Sequence, residues 1–195
     1  MIQKTIEKIE NKIQDLHLER CIIAIDGRCA SGKSTLSNEL SRRLACSVVH
    51  MDDFFLQPHQ RTHQRWIEAG CNVDYERFLA EVIYPIKNGR DFSYRPFECH
   101  SLTFSDEIKV DLKDVVIIEG AYSCHPMFDD LYDLKIFLDV DSDEQLDRIE
   151  KRNGKNQLSE FINKWIPLEE KYFEEFGIKE KCDLCLDIKA RLIKC

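Results

Sequence analysis

Residues Gly27-Arg28-Cys29-Ala30-Ser31-Gly32-Lys33-Ser34-Thr35 fit the phosphate-binding loop pattern G-x-x-x-x-G-K-[ST]. No other stretch of the chain constrains its fold so tightly. The two glycines let the backbone turn sharply enough for its N–H groups to converge on a phosphate. Lys33 is spaced to reach the terminal phosphates, and the Ser34 hydroxyl to ligate Mg²⁺. The flanks agree with the motif. Cys21-Ile22-Ile23-Ala24-Ile25-Asp26 is a short apolar run with a strand's length and β-branched bias. Leu36, Leu40 and Leu44 recur at helical spacing on the other side. Strand, glycine turn and helix together set a triphosphate on a helix N-terminus.

The rest of the chain alternates strands and helices. Ile2, Ile6, Ile9, Ile13 and Leu16 predict an amphipathic N-terminal helix within residues 1–18. Ser47-Val48-Val49-His50-Met51 reads as a second strand, and Gln57 to Gly70 as loop with some helix. Asp74 is placed to cap a helix over residues 75–83, which Gly89 ends. Residues 91–111 read as a hairpin with turns. Val115-Val116-Ile117-Ile118, followed by Glu119, has the continuous β-branched pattern of a strand buried on both faces. Leu134 to Val140 is another strand, and residues 142–152 a helix with Ser142 as its cap. Residues 158–176 are helical around Pro167, and 182–188 form a last strand. This order predicts a three-layer α/β/α fold around a mainly parallel sheet. Its 195 residues fit one domain.

Composition narrows the function classes. The chain is 43% hydrophobic and 33% charged, in the range of soluble globular proteins. No apolar run approaches a membrane span, and the N-terminus lacks a signal-peptide core. A net charge of −8 argues against a nucleic-acid polymer as the main partner. The nine cysteines are odd in number and irregularly spaced, and Cys182-x-x-Cys185 has no second pair at zinc-ribbon spacing. Reduced thiols and a cytoplasmic location are the expectation.

In a parallel sheet, ligands bind at the carboxyl ends of the strands. Asp52 follows the second strand and Glu119 ends the strand of residues 115–118. Phosphoryl transfer needs one carboxylate for the attacking hydroxyl and another near Mg²⁺, and Asp52 and Glu119 suit these roles in turn. Asp53 is the rival for the first. Turn carboxylates also cap helices and solvate loops.

From Cys21 to Ile188 the chain resembles the uridine kinase branch of the P-loop kinases, a group that includes phosphoribulokinase and pantothenate kinase. The likeness rests on the phosphate loop, Asp52-Asp53-Phe54-Phe55, Asn72 to Phe78, Tyr94, Val116 to Gly120, Phe137 to Asp141 and Trp165 to Phe173, in that order. It implies an ATP- and Mg²⁺-dependent kinase in which residues 27–35 hold the donor phosphates. Asp52 takes the proton from the acceptor hydroxyl, Asp74 binds ribose hydroxyls and Tyr94 packs on the acceptor base. Glu119 lies near Mg²⁺, together with Ser34. Arg148 and Arg152, four apart on one helix face, are the lid's phosphate-binding arginines.

The chain departs from that pattern in two places. Arg148 is followed by Ile149 where the family carries adjacent arginines, and the lid, about residues 148–157, is short. Residues 94–100 differ in spacing and type from the family's acceptor segment. The expected acceptor is a small molecule, with uridine or cytidine first and another nucleoside, pantothenate-like or sugar compound as the alternative. A nucleotide-binding switch is the reading from another class. The Asn-Lys-x-Asp of guanine-specific switches is missing, since Asn163-Lys164-Trp165-Ile166 lacks the Asp. ATP or GTP as donor, and the oligomeric state, stay open.

Overall fold

A computed structural model describes residues 2–187 and 191–195. Strand β1 (Cys21–Gly27) lies inside the sheet, with β7 (Val115–Glu119) on one side and β8 (Leu134–Asp139) on the other, both parallel to it. β2 (Ser47–His50) extends the sheet beyond β7, and β9 (Leu184–Asp187) extends it beyond β8, again in parallel. The short β10 (Leu192–Ile193) closes the β9 edge antiparallel, giving the order β10-β9-β8-β1-β7-β2. The register pairs Ile25 and His50 with Glu119, and Gly27 with Leu138. The carboxyl ends of β1, β2 and β7 therefore open on one crevice.

Alternation along these strands supplies both faces with apolar side chains. Ile23, Ile25, Ile117 and Ile136 pack under α1 (Ile2–Asp15) and α2 (Lys33–Leu44), through Ile6, Ile9, Leu36 and Leu40. Ala24, Val49, Ile118 and Phe137 face the opposite layer, with Phe54, Phe78, Tyr172 and Phe173. This is the three-layer α/β/α fold the sequence implies.

Beyond β2 the chain runs through a 3-10 turn (Met51–Phe54), a second one (Pro58–Gln60) and α3 (His63–Ile67). Asp74 caps α4 (Tyr75–Phe78), which passes through a π-turn (Leu79–Ile83) into α5 (Tyr84–Lys87). Two hairpins follow. β3 (Phe92–Tyr94) pairs with β6 (Ile108–Val110), and β4 (Phe97–Glu98) with β5 (Thr103–Phe104) between them. After β8 come α6 (Ser142–Asn153), α7 (Lys155–Glu160), a π-turn (Phe161–Trp165) and α8 (Ile166–Phe176). Both π-turns stand just ahead of a proline, Pro85 or Pro167. Proline has no N–H and its ring displaces the carbonyl four residues back, which a wider turn accommodates.

Several expectations are corrected. Asp141, not Ser142, caps α6: Asp141 is extended and its carboxylate accepts the Glu144 N–H at 3.0 Å. The strand expected over 182–188 is β9, beginning at Leu184, and it is followed by β10 rather than being the last; Ile188 lies outside the described residues. The cysteines are not all free thiols, because Cys185 forms a disulfide with Cys195 where β10 folds back on β9. The expected lid over 148–157 comprises the end of α6, a break at Gly154 and the start of α7. Among the described residues no helix is long and apolar enough to cross a membrane.

Candidate active site

β1 ends at Gly27, with φ 128°, and a Cβ there would lie 2.0 Å from the Leu138 carbonyl oxygen. Only glycine lets the chain leave the sheet so close to β8. The loop then delivers Lys33 to the first turn of α2. The buried Lys33 Nζ donates to the loop's own carbonyls, Gly27 O at 2.7 Å and Arg28 O at 2.9 Å. Side chains from α6 and α8 brace the loop from outside. Arg28 forks onto Glu170 at 2.7 and 2.9 Å and also pairs with Asp139. The Cys29 N–H donates to Glu169 Oε2 at 2.9 Å, Gln145 donates to Cys29 O at 3.2 Å, and Arg148 Nη1 donates to Ala30 O at 3.3 Å. Burial pushes the Cys29 thiol up to about 12, which disfavours its thiolate form. Burial also pushes the Glu169 carboxyl up to about 7, against the pull of Lys33 and the Cys29 N–H.

Asp26, one residue before the loop, is fully buried. Its Oδ1 accepts the Gly27 N–H at 2.6 Å, and its Oδ2 accepts the Cys124 N–H at 2.8 Å and the Tyr172 hydroxyl at 2.7 Å. Desolvation raises its pKa, and these three donors oppose the rise. One carboxylate thereby joins β1, the turn after β7 and α8.

The acidic cluster lies across from the loop. Glu119 Oε2 accepts the Ser34 hydroxyl at 3.3 Å, while its Oε1 contacts His50 Nδ1. That contact is the main cause of a raised His50 pKa. Gly120, with φ 136°, leaves room for this corner, since a Cβ there would meet Met51 Cβ at 2.8 Å and Asp52 Oδ1 at 3.4 Å. Asp52 is exposed to the open crevice. Desolvation raises its pKa, Glu119 and Asp53 add to the rise, and Lys33 opposes it. Asp53 is engaged instead, accepting the Tyr94 hydroxyl at 2.9 Å.

These groups surround a cavity of about 650 Å³. Of the residues singled out from the sequence, Cys29, Ala30, Gly32, Lys33, Ser34 and Thr35 line it along the loop, and Asp52, Glu119, Arg148 and Arg152 complete its polar wall. Gly27, Arg28 and Ser31 shape the loop from behind that lining. Asp74 and Tyr94 are placed differently from the expectation: both are buried and neither lines the cavity. The Asp74 carboxylate accepts the Arg77 N–H at 3.1 Å as a helix cap, and the Tyr94 ring lies 4.9 Å from that of Phe54. Arg61, Cys99 and Phe161 also line the cavity, as do Asn72, Trp165 and Glu169 from segments that carry the resemblance, and the sequence assigns none of the six a site role. The π-turn ahead of α8 carries Phe161 and Trp165 there, a feature helical periodicity does not reveal.

A parallel sheet whose strand end passes through a Gly-Lys-Ser loop into a helix defines the P-loop class. The profile described as AAA domain matches residues 23–164, and the chain belongs to that family. Among curated proteins, the uridine kinase of Staphylococcus aureus strain JH9 is 27% identical over 168 residues, 80% of either chain. A solved structure described as a possible uridine kinase, from Bacillus stearothermophilus, superposes with a TM-score of 0.72 at 24% identity, covering 95% of this chain and 98% of its own. A candidate fructose transport system kinase from Silicibacter sp. TM1040 gives 0.71 at 22% identity with the same coverage. These likenesses show the fold of a uridine kinase-like P-loop kinase.

Proposed function

We propose that the protein transfers the γ-phosphoryl group of ATP to a hydroxyl of a small molecule. The observation that carries this reading is the meeting of Lys33, Ser34, Asp52 and Glu119 on one cavity wall. Lys33 and the loop amides hold the donor phosphates, and Arg148 and Arg152 face the same space to offset charge on the transferred group. The oxygens of Ser34 and Glu119 are hard donors that fit Mg²⁺. Among the described residues no group of three or more His, Cys, Asp or Glu side chains makes a cage of its own. Ser34 and Glu119 would hold such an ion, which would supply charge neutralisation when bound.

Asp52 is the group proposed to accept the proton of the attacking hydroxyl. Its raised pKa makes it a stronger base than an ordinary aspartate, and Asp53 is occupied by Tyr94. Phe161 and Trp165 supply apolar wall that limits water at the reacting phosphate. The name of the S. aureus relative puts uridine and cytidine first among acceptors to try. The two side chains that the resemblance assigns to nucleoside recognition, Asp74 and Tyr94, are turned to internal contacts, so the reading stops at a small hydroxyl compound.

The test is an acceptor panel with Mg²⁺ and ATP, read by mass spectrometry of the product. A phosphorylated acceptor formed in step with ADP supports the reading. ATP binding without any phosphorylated product across the panel replaces it with a nucleotide-dependent switch.

A further inference from the structure

Arginines near the cavity are mostly neutralised by carboxylates. Arg28 pairs with Glu170 and Asp139, Arg148 with Glu144, Arg65 with Glu76 and Arg77 with Glu81. Arg61 lines the cavity and has no carboxylate partner among the described residues. Its Nε donates to Leu56 O at 3.0 Å and its Nη2 reaches Cys99 Sγ at 3.7 Å. A guanidinium carries five N–H donors. Nη1 is left without a partner among the described residues. In a chain with 36 acidic and 28 basic residues, a half-buried cation without an ion pair stands out.

The local backbone builds this position. Leu56 N–H donates to Asn72 O at 3.1 Å, and Arg61 N–H closes the turn of Pro58–Gln60 on Pro58 O at 3.3 Å. The Gln57 N–H and the Gln60 side chain add a reciprocal cap at 2.8 Å. These bonds fix the backbone that carries Arg61, and the Nε bond to Leu56 O anchors its side chain. Arg61 shares the cavity wall with Asp52 and Cys99, and its Nη2 contact fixes it beside Cys99. Arg152, the other cavity arginine without a carboxylate partner among the described residues, comes from α6 beside the phosphate loop and is already accounted for by the donor.

We infer that the acceptor is an anionic alcohol: Arg61 grips a phosphate or carboxylate on it while its hydroxyl faces Asp52. The inference rests on the kinase reading above and narrows its substrate class. Guanidinium matches either oxyanion through paired N–H donors, whereas a neutral nucleoside leaves the charge unmatched.

The experiment uses the full chain with Mg²⁺, ATP and matched acceptors that differ in charge. Fructose is compared with fructose 1-phosphate and fructose 6-phosphate, pantothenol with pantothenate, and uridine serves as a neutral reference. For at least one pair the anionic member is expected to have the higher kcat/KM, by roughly 10–100-fold, the worth of a charged hydrogen bond. The phosphate and carboxylate arms show which oxyanion is read. Arg61→Gln should raise KM for that member by a similar factor with kcat little changed, and Arg61→Lys should recover part of the loss. If Arg61→Gln does not fold, the pairs on the unaltered protein still decide, together with salt. KM for the anionic member should rise with KCl, and KM for its neutral partner should not. Preference for a neutral acceptor, or an Arg61→Gln protein with unchanged KM, overturns the inference and leaves the kinase reading standing. A protein that binds ATP but phosphorylates no member of the panel overturns both.

Discussion

The proposed donor and acceptor ends of the cavity are built by different means. The donor end is backbone: nine consecutive residues, 27–35, shaped by glycine and braced from α6 and α8. The acceptor end is assembled from side chains on separate segments, with Asp52, Phe55 and Arg61 following β2, Asn72 preceding α4 and Cys99 lying in the β4–β5 hairpin. A site made of backbone leaves a short contiguous signature. One made of side chains gathered by the fold leaves none, and it is free to change its ligand without disturbing the donor end.

Substitutions at both ends sharpen this contrast. Asp52→Asn is expected to have the largest effect, slowing transfer by roughly 10²–10⁴-fold with ATP affinity little changed. The acid limb of the pH–rate profile should also vanish in this variant. In the unaltered protein activity is expected to rise with pH as Asp52 loses its proton, above the ordinary aspartate range because its pKa is raised. An Asp53→Asn protein that loses transfer while Asp52→Asn keeps it would reverse the assignment. Lys33→Ala comes next, with about 10²–10³-fold less transfer in a protein of unchanged unfolding temperature, since a single charge-stabilising donor is removed. Transfer at a normal rate by that folded variant would break the donor-end reading. Transfer should also stop in excess chelator and return with Mg²⁺; full activity in chelator contradicts the proposed role of Ser34 and Glu119.

Smaller effects test one residue that the resemblance assigns to the acceptor and one that braces the loop. Asp74→Ala should cost about 0.5–2 kcal/mol of stability in denaturant unfolding, the worth of a lost helix cap. A raised acceptor KM at unchanged stability would instead restore its binding role. Glu169 offers the mildest test. Its folded pKa is about 7 against the ordinary glutamate value of 4.5, so the folded state holds a proton that the unfolded state releases first. Its contribution is full below pH 4.5 and declines as pH rises toward 7. Unfolding followed across that window should show the decline, and Glu169→Gln should flatten it; an identical slope in both proteins refutes the buried-carboxyl account.

The fold was legible because β-branched runs and the 3.6-residue spacing of isoleucine and leucine report burial directly. The Cys21–Asp26 and Val115–Ile118 runs became strands, and the isoleucines at 6 and 9 became core. The phosphate loop was legible for the backbone reason given above. The π-turns were not, since one extra residue in a helical turn leaves the apolar spacing almost intact. Glu169 reads as a solvated helix position, and only the packing of α8 on the loop buries it. Arg61 lies in a polar stretch with no periodic signal. Asp74 was legible as a cap, but capping occupies the carboxylate that the resemblance directs to ribose. The Cys185–Cys195 bridge depends on β10 doubling back, which spacing alone does not announce.

The bond from Tyr172 to Asp26 spans 146 positions of sequence. The AAA domain match ends at residue 164, so every residue counted by that match can be kept in a shortened chain that lacks Tyr172, Glu169 and Glu170. Such a fragment retains the whole glycine-lysine-serine signature, yet Asp26 loses one of its three donors, and Arg28 and the Cys29 N–H lose the carboxylates of α8. For this chain the functional boundary of the phosphate loop lies past the boundary of the recognisable family segment, at the end of α8. A truncation series scored by nucleotide binding would place that boundary, with the loss expected as the cut moves in from residue 176 past residue 169.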